Sequence, residues 1–380
     1  MDEKIKFLTI FTPCENIHLI KDVGMIPYVM YKDFGYDSTI ASYNNGEYPY
    51  LESEVKGLSQ IFIEKRFKSD FLNLIFFIFY NFKKFDILQV YHFSLKQLLV
   101  LYLFKMLNFR NKRARTYLKM DVNHTIKTWS FSSTKTMIYN LVLKKIDLIS
   151  LESKKLYDYC KQNNILEKKI KYIPNGFYDH GFRNDTPFSE KENLIITVGR
   201  IGSFEKNNEV LFEGFREFCK QNSTWKLEVI GPVEDDFKPY ISNFFKDNPN
   251  LVNRLLLTGG VSDRDVLNDK YRKAKIFVLT SRSEGFPLVF LEAIKAGCTI
   301  ISTDLVTAYD VTDNGKLGGI FPIGDFMELS KILKCKVSNV EQLSKDCLSI
   351  QNFAYNNFYW KTICANILKQ MNCSTGSKVF

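Results

Sequence analysis

The chain has 380 residues, 45% of them hydrophobic and 25% charged, with a formal net charge of +10. That length asks for two domains or one large one, and the composition excludes a disordered, fibrous or collagen-like chain. The basic balance points to a polyanionic partner without choosing among nucleic acid, an anionic membrane face and phosphorylated substrates.

Short β-branched or aromatic runs alternate with amphipathic stretches, the pattern of stacked β-α units. Strands are predicted at Lys6–Ile10, Ser38–Ser42, Ile87–Tyr91, Thr116–Met120, Leu148–Leu151 and Ile170–Ile173. Helical patterns fill the gaps, notably Phe71–Phe82, Leu95–Leu107 and Thr134–Lys145. The polar run Tyr178–Asn193 then breaks the rhythm and reads as a linker. Strands resume at Leu194–Val198, Lys226–Ile230, Arg254–Leu257, Ile276–Thr280 and Thr299–Ser302, with helices at Asn208–Lys220, Asp263–Lys273 and Pro287–Ala296. Two helical segments, about 325–350 and 353–371, close the chain. The expected organisation is two α/β domains, 1–182 and 183–355, followed by a C-terminal segment 356–380. Ligands of open parallel sheets bind at the carboxyl ends of the strands, so two such sheets facing each other make a cleft.

The charge is unevenly spread. Residues 61–119 hold twelve Lys or Arg (Lys119 the last) against three acids, an excess of nine. The start, Met1-Asp2-Glu3-Lys4, is not a basic and then apolar leader, so no secretory signal is expected. The longest apolar run, Phe71–Phe82, falls short of the roughly 20 residues a membrane span needs. The eight Cys are scattered without a C-x-x-C pair, which argues for a reducing cytoplasm and against a zinc ribbon or disulfide framework.

The most informative segment is IFVLTSRSEGFPLVFLEAIKAG, Ile276–Gly297. A strand runs into a polar loop, Pro287 suits the first helical position, and Gly297 suits the helix stop. Free N–H groups at such a helix start suit a phosphate, and Gly285 lets a ligand approach the backbone. Glu284 and Glu292, eight positions apart, are placed to accept hydrogen bonds from sugar hydroxyls on either side of a phosphate. Alone, they also read as a solvated loop acid and a helix-surface acid. A second segment, LIITVGRIGSFEKNN (Leu194–Asn208), puts Gly199, Arg200 and Lys206 after a strand. The two cations are suited to neutralise a diphosphate leaving group, or are surface charges.

Together these segments resemble the nucleotide-sugar domain of retaining glycosyltransferases of the GT-B fold, group 1 or family 4. The E-x7-E motif appears as Glu284 and Glu292, and the G-R…K motif as Gly199, Arg200 and Lys206. IPNGF (173–177), IGPV (230–233), LTGGV (257–261) and TDNGKLGGIFPIGD (312–325) follow at family-like spacing. The resemblance covers most of 165–325 and implies a GT-B fold, two Rossmann-like α/β/α domains facing across a cleft, with the last segment crossing back to the first domain. It implies that Arg200 and Lys206 bind the diphosphate, Glu292 holds the ribose and Glu284 contacts the donor sugar. The amides of the run Gly285 to Leu288, which includes Phe286 and Pro287, would reach the phosphates or the sugar. Gly231 and Gly260 would line the base pocket. Gly24 matches the glycine loop that meets the diphosphate from the other domain, where many members have two glycines. Asp121 stands where many relatives carry His; it is a candidate to orient the acceptor or take its proton, or is a strand-end turn residue. Asn207 stands where Gly usually follows the Lys.

The resemblance implies metal-independent transfer from a nucleotide-diphosphate sugar, UDP-linked in preference to GDP-linked, with no cofactor and no metal. The D-x-D string Asp263-Arg264-Asp265 opens a predicted helix and reads as a cap. The acceptor expected is a lipid-linked saccharide of capsule, O-antigen or exopolysaccharide assembly. Lipopolysaccharide core or a soluble acceptor is the alternative. The enzyme is expected in the cytoplasm, with the basic 61–119 block as a peripheral address on the inner membrane face. No G-x-G-x-x-G or P-loop string supports a dehydrogenase or ATPase. No zinc, RNP or helix-turn-helix pattern supports nucleic-acid binding. The intact Glu284, Glu292, Arg200 and Lys206 speak against an inactive scaffold.

Overall fold

The computed structural model describes residues 4–120, 141–165 and 169–371. It divides into two compact units, residues 1–178 with 359–380, and residues 179–358.

Unit 1 is built on a seven-stranded sheet: β1 (Lys6–Ile10), β2 (Asp37–Ser42), β3 (Ser59–Phe62), β4 (Ile87–Tyr91), β5 (Arg115–Met120), β6 (Leu148–Leu151) and β7 (Ile170–Tyr172). Its order is β3-β2-β1-β4-β5-β6-β7, and neighbouring strands are parallel. Parallel sheets are covered on both faces, so their strands are apolar on both sides. In β4, Ile87 and Tyr91 enter one core cluster while Leu88 and Val90 enter the other. The last helix, Trp360–Gln370, closes the first of these clusters. Its Trp360, Ile363, Cys364 and Ile367 lie among Val23, Ile26 and Met30 of the helix Asp22–Phe34.

Unit 2 carries β8 (Glu192–Val198), β9 (Lys226–Ile230), β10 (Leu255–Gly259), β11 (Ala274–Leu279), β12 (Thr299–Thr303) and β13 (Gly318–Phe321), in the order β10-β9-β8-β11-β12-β13, all parallel. The order reverses between β8 and β11, and ligands of such sheets bind at that switch point, beyond the carboxyl ends of the strands. The loops leaving β8 and β11 are the two segments singled out above.

Three expectations are corrected. Strands β3 and β13 were not foreseen. The closing helices break at Asn339, whose side chain caps Val340–Asn357, and that helix runs through the break expected near 351. Pro287 is the N-cap of Leu288–Lys295 rather than its first residue; its ψ of 114° is still extended while its φ of −65° already suits a helix.

Lys119 is also reassigned. It is counted in the basic block, yet its side chain is 0% exposed and buried among carboxylates. Its ammonium donates to Glu152 and, at 2.9 Å, to Asn175, and it lies 3.2 Å from Asp22. Burial alone would lower its pKa, but Glu152 and Asp22 outweigh burial and raise it. The cluster ties the tip of β5, the start of the Asp22–Phe34 helix and the chain after β7 together. Removing one partner would strand a buried charge.

Candidate active site in the second unit

The loops after β8 and β11 are stitched together. Thr280 Oγ1 donates to the Lys206 carbonyl at 2.9 Å, and the Arg282 amide to the Glu205 carbonyl at 2.7 Å. The Arg282 guanidinium donates to Asn207 Oδ1 at 2.6 Å and to the Phe204 carbonyl at 3.0 Å. This lacing holds Lys206 beside Glu284. The ammonium donates to Glu284 Oε1 at 2.6 Å, and Ser281 Oγ donates to the same oxygen at 2.7 Å. Thr303 Oγ1, at the end of β12, fixes the Ser281 carbonyl at 2.6 Å. Three strand tips therefore position one ion pair.

Asn207 departs from the glycine usual there, and its backbone shows why the position is demanding. Its φ of 51° and ψ of 47° are left-handed, a conformation that Gly adopts freely and Asn tolerates better than other residues. Gly231 answers a second constraint. Its φ is 147°, and a Cβ there would lie 1.7 Å from the Gly199 carbonyl oxygen. Gly199 donates to the Ile230 carbonyl and Gly231 to the Gly259 carbonyl, so the tips of β8, β9 and β10 approach backbone to backbone. Gly231→Ala is expected to destabilise unit 2 by about 3 kcal/mol. A loss of unfolding free energy below about 1 kcal/mol in denaturant titration would show that the tips can separate. Gly285 and Gly260 differ: a Cβ on Gly285 meets nothing within 4 Å, and one on Gly260 meets only Pro232 at 3.9 Å. Packing does not explain glycine at either position.

Glu292 sits one turn into the Leu288–Lys295 helix, and Tyr271 donates to its Oε2 at 2.8 Å. Desolvation raises the Glu292 pKa; the Tyr271 hydrogen bond, Arg264 and Lys295 pull it down again without cancelling the rise. Arg200 stands apart, 63% exposed, with Glu234 Oε1 at 4.0 Å. The structure thus brings together Lys206 and Glu284, sets Glu292 eight residues further on, and leaves Arg200 in water. Phe286 lies 6.3 Å, centroid to centroid, from Phe358. Asp263 caps the helix Arg264–Lys273, accepting from the Asp265 and Val266 amides.

In unit 1, Gly24 lies in the first turn of the Asp22–Phe34 helix and not in a loop. A Cβ there would sit 2.0 Å from the Leu19 carbonyl oxygen, so close backbone packing accounts for the glycine. Asp121 lies outside the described residues, as do residues 134–140 of the helix expected at Thr134–Lys145. The partners Ser281, Arg282 and Tyr271 were not foreseen. Ser281 and Arg282 stand in the quoted motif string, but Tyr271 is 21 positions before Glu292 and carries no local signal.

Residues 180–346, most of unit 2, match the family model of glycosyl transferases group 1. Over the whole chain, the structure is similar to that of Anabaena HepE in complex with UDP, with a TM-score of 0.67 at 15% identity, covering 97% of this chain and 100% of that one. The fold is therefore GT-B, two Rossmann-like domains, and the match and the fold together support the GT-B glycosyltransferase family. Among curated proteins, the chain is 27% identical over 212 residues to the capsular polysaccharide biosynthesis glycosyltransferase CapM of Staphylococcus aureus. That match covers 52% of this chain and 53% of CapM, so the chain spans about half the length of that relative. It is also 26% identical over 275 residues to the UDP-Gal:alpha-D-GlcNAc-diphosphoundecaprenol alpha-1,3-galactosyltransferase of Escherichia coli, covering 66% of this chain and 67% of that one.

Proposed function

We propose that the chain is a retaining, metal-independent glycosyltransferase of family 4. In this reading it moves a sugar from a nucleotide-diphosphate sugar, UDP-linked in preference to GDP-linked, to a lipid-linked saccharide in capsule, O-antigen or exopolysaccharide assembly. The observation that carries the reading is the Lys206–Glu284 pair at the switch point of the second sheet, with the anchored Glu292 beyond it. The UDP bound to HepE supports the donor class, and the diphosphoundecaprenol-linked acceptor in the name of the E. coli relative supports the acceptor class.

Cleavage of the bond between the anomeric carbon and phosphate passes through an oxocarbenium-like state, and charge builds on the departing diphosphate. Lys206 and Arg200 neutralise that charge. The amides around Gly285 to Leu288 contribute at the helix start, where partial positive charge gathers. Glu284 holds a hydroxyl of the donor sugar, and Glu292 accepts from the ribose. Residues near Gly231 and Gly260 line the pocket for the base. Attack from the face the leaving group vacates retains configuration, and Asp121 is the proposed acceptor of the incoming hydroxyl's proton. The test is transfer from UDP-, GDP-, ADP- and CMP-sugars to a diphosphate-lipid-linked saccharide. A β-configured product from an α-linked donor would overturn retention, and full turnover in the absence of Glu284 would overturn the site.

A second element of the reading is a peripheral position on the inner face of the cytoplasmic membrane. No helix among the described residues is long and apolar enough to cross a membrane. The helix Asp70–Asn81, however, is apolar on both sides. Asn73, Leu74 and Ile78 face the core, while Leu72, Phe79 and Tyr80 on the opposite side are 48%, 58% and 64% exposed. Phe76 joins that outer stripe: its ring lies 4.5 Å from Tyr80 and 5.9 Å from Phe67, and the Arg66 guanidinium lies 4.4 Å from its centroid. Exposed Lys65, Lys68, Lys83 and Lys84 flank the helix. An apolar outer face rimmed with cations suits the headgroup boundary of an anionic bilayer, each cation near the surface contributing about 1 kcal/mol. Co-sedimentation with phosphatidylserine vesicles at low salt is expected, and Phe79→Glu with Tyr80→Glu should reduce the bound fraction at least fivefold. Equal binding by the double variant would remove this face from the reading.

A further inference from the structure

Glu292 does not stand alone in its helix. Tyr271, in the last turn of Arg264–Lys273, is fully buried, its ring 6.1 Å from that of Phe277 on β11. From there its phenol donates to Glu292 Oε2 at 2.8 Å. Burial, and then the neighbouring Glu292 charge, push ionisation of the phenol far above its ordinary range, so the group remains a donor. A buried ring has no second rotamer to which it can turn. The phenol therefore occupies one oxygen of the carboxylate from a fixed point and leaves Oε1 with its lone pairs for another donor.

We propose that Tyr271 is a positioning residue for nucleotide recognition: it clamps the Glu292 carboxylate so that the second oxygen meets the ribose hydroxyls and makes the site selective for ribonucleotides. The inference rests on the reading of Glu292 as the ribose acceptor. Without the clamp, the carboxylate is partly desolvated and lacks its donor, and it is free to turn toward water. A carboxylate free to turn gives up part of its hydrogen bond to the ribose as ordering entropy. Contacts to the base and diphosphate do not pass through Tyr271, so they should survive its loss. A site built around a ligand hydroxyl discriminates strongly against the analogue that lacks it, because its buried acceptor is then left unpaired.

The experiment compares the affinities of UDP and 2′-deoxy-UDP by calorimetry for wild type, Tyr271→Phe, Glu292→Gln and the double variant. Wild type should prefer UDP by about tenfold or more. Tyr271→Phe should bring the ratio to within about threefold of unity, almost entirely through UDP, and the double variant should match Glu292→Gln. An unchanged ratio in Tyr271→Phe, or an equal loss for both ligands, overturns the clamp. A ratio unaffected by Glu292→Gln removes the ribose role of Glu292 and the clamp with it. If Glu292→Gln collapses the ratio while Tyr271→Phe leaves it intact, only the clamp falls. Should Tyr271→Phe fail to fold, Glu292→Asp withdraws the carboxylate from the phenol by one methylene and must collapse the ratio likewise; a preserved ratio overturns the proposal.

Discussion

Glu284→Gln is expected to lower sugar transfer about 100-fold while tightening UDP binding several-fold. The two effects come from one geometry. Lys206 and Glu284 are in contact at 2.6 Å and both are mostly shielded from solvent, so the carboxylate neutralises the cation. A diphosphate arriving at Lys206 meets the carboxylate as well. At separations of about 6 Å and an effective dielectric near that of a protein surface, such repulsion is on the order of 1–3 kcal/mol before screening. Glutamine removes the repulsion and frees the ammonium, which accounts for tighter UDP. It also replaces the carboxylate proposed to hold the donor sugar, which accounts for the slower transfer expected. Calorimetry with UDP and initial rates with the UDP-sugar measure the two separately. Weaker UDP binding together with near-normal turnover would be incompatible with this account.

Lys206→Ala is expected to reduce kcat by about 10²–10³, since the charge on the departing diphosphate then lacks its nearest cation. Its ground-state effect should exceed that of Arg200→Ala, because it also leaves the Glu284 carboxylate without its counter-ion in a shielded place, with Ser281 still donating to it, whereas the Arg200 side chain is 63% exposed. Glu284→Gln added to Lys206→Ala should recover part of the lost UDP affinity without recovering turnover, a non-additivity expected of residues in direct contact. Additive losses in UDP affinity would mean that the two side chains act independently.

Much of the fold was legible because buried parallel strands are short apolar runs between polar breaks. β1, β4, β6 and β9 lie at their expected limits. What failed had a physical reason. β3, Ser59–Phe62, is an edge strand with no buried residue, so its sequence carries neither alternation nor an apolar run. β13 begins with two glycines, which read as a loop. A Cβ on Gly318 would lie 2.3 Å from the Ile300 carbonyl oxygen, so tight strand pairing demands the glycine that disguised the strand. In the site, Glu284, Glu292, Lys206 and Arg200 were visible as spaced residue types. Their partners were not, because Ser281, Arg282 and Tyr271 earn their roles through contacts between loops or helices. Lys119 marks the same boundary from the other side. Composition counts a lysine as surface charge, and only the fold reveals the two carboxylates that keep it inside.

The excursion of the chain out of unit 1 and back has a consequence for biosynthesis. Unit 2 is one continuous stretch, residues 179–358, and can complete its sheet as soon as that stretch has left the ribosome. Unit 1 cannot. The hydrophobic flank formed by Val23, Ile26 and Met30 waits for Trp360, Ile363 and Ile367, which follow it by more than 300 residues. At about 5–20 residues per second, roughly 17 to 70 seconds pass between the synthesis of the Asp22–Phe34 helix and that of its cover. During that interval the half-built first unit presents sticky surface to chaperones and to sister chains. Truncation just before Tyr359 would make the interval permanent.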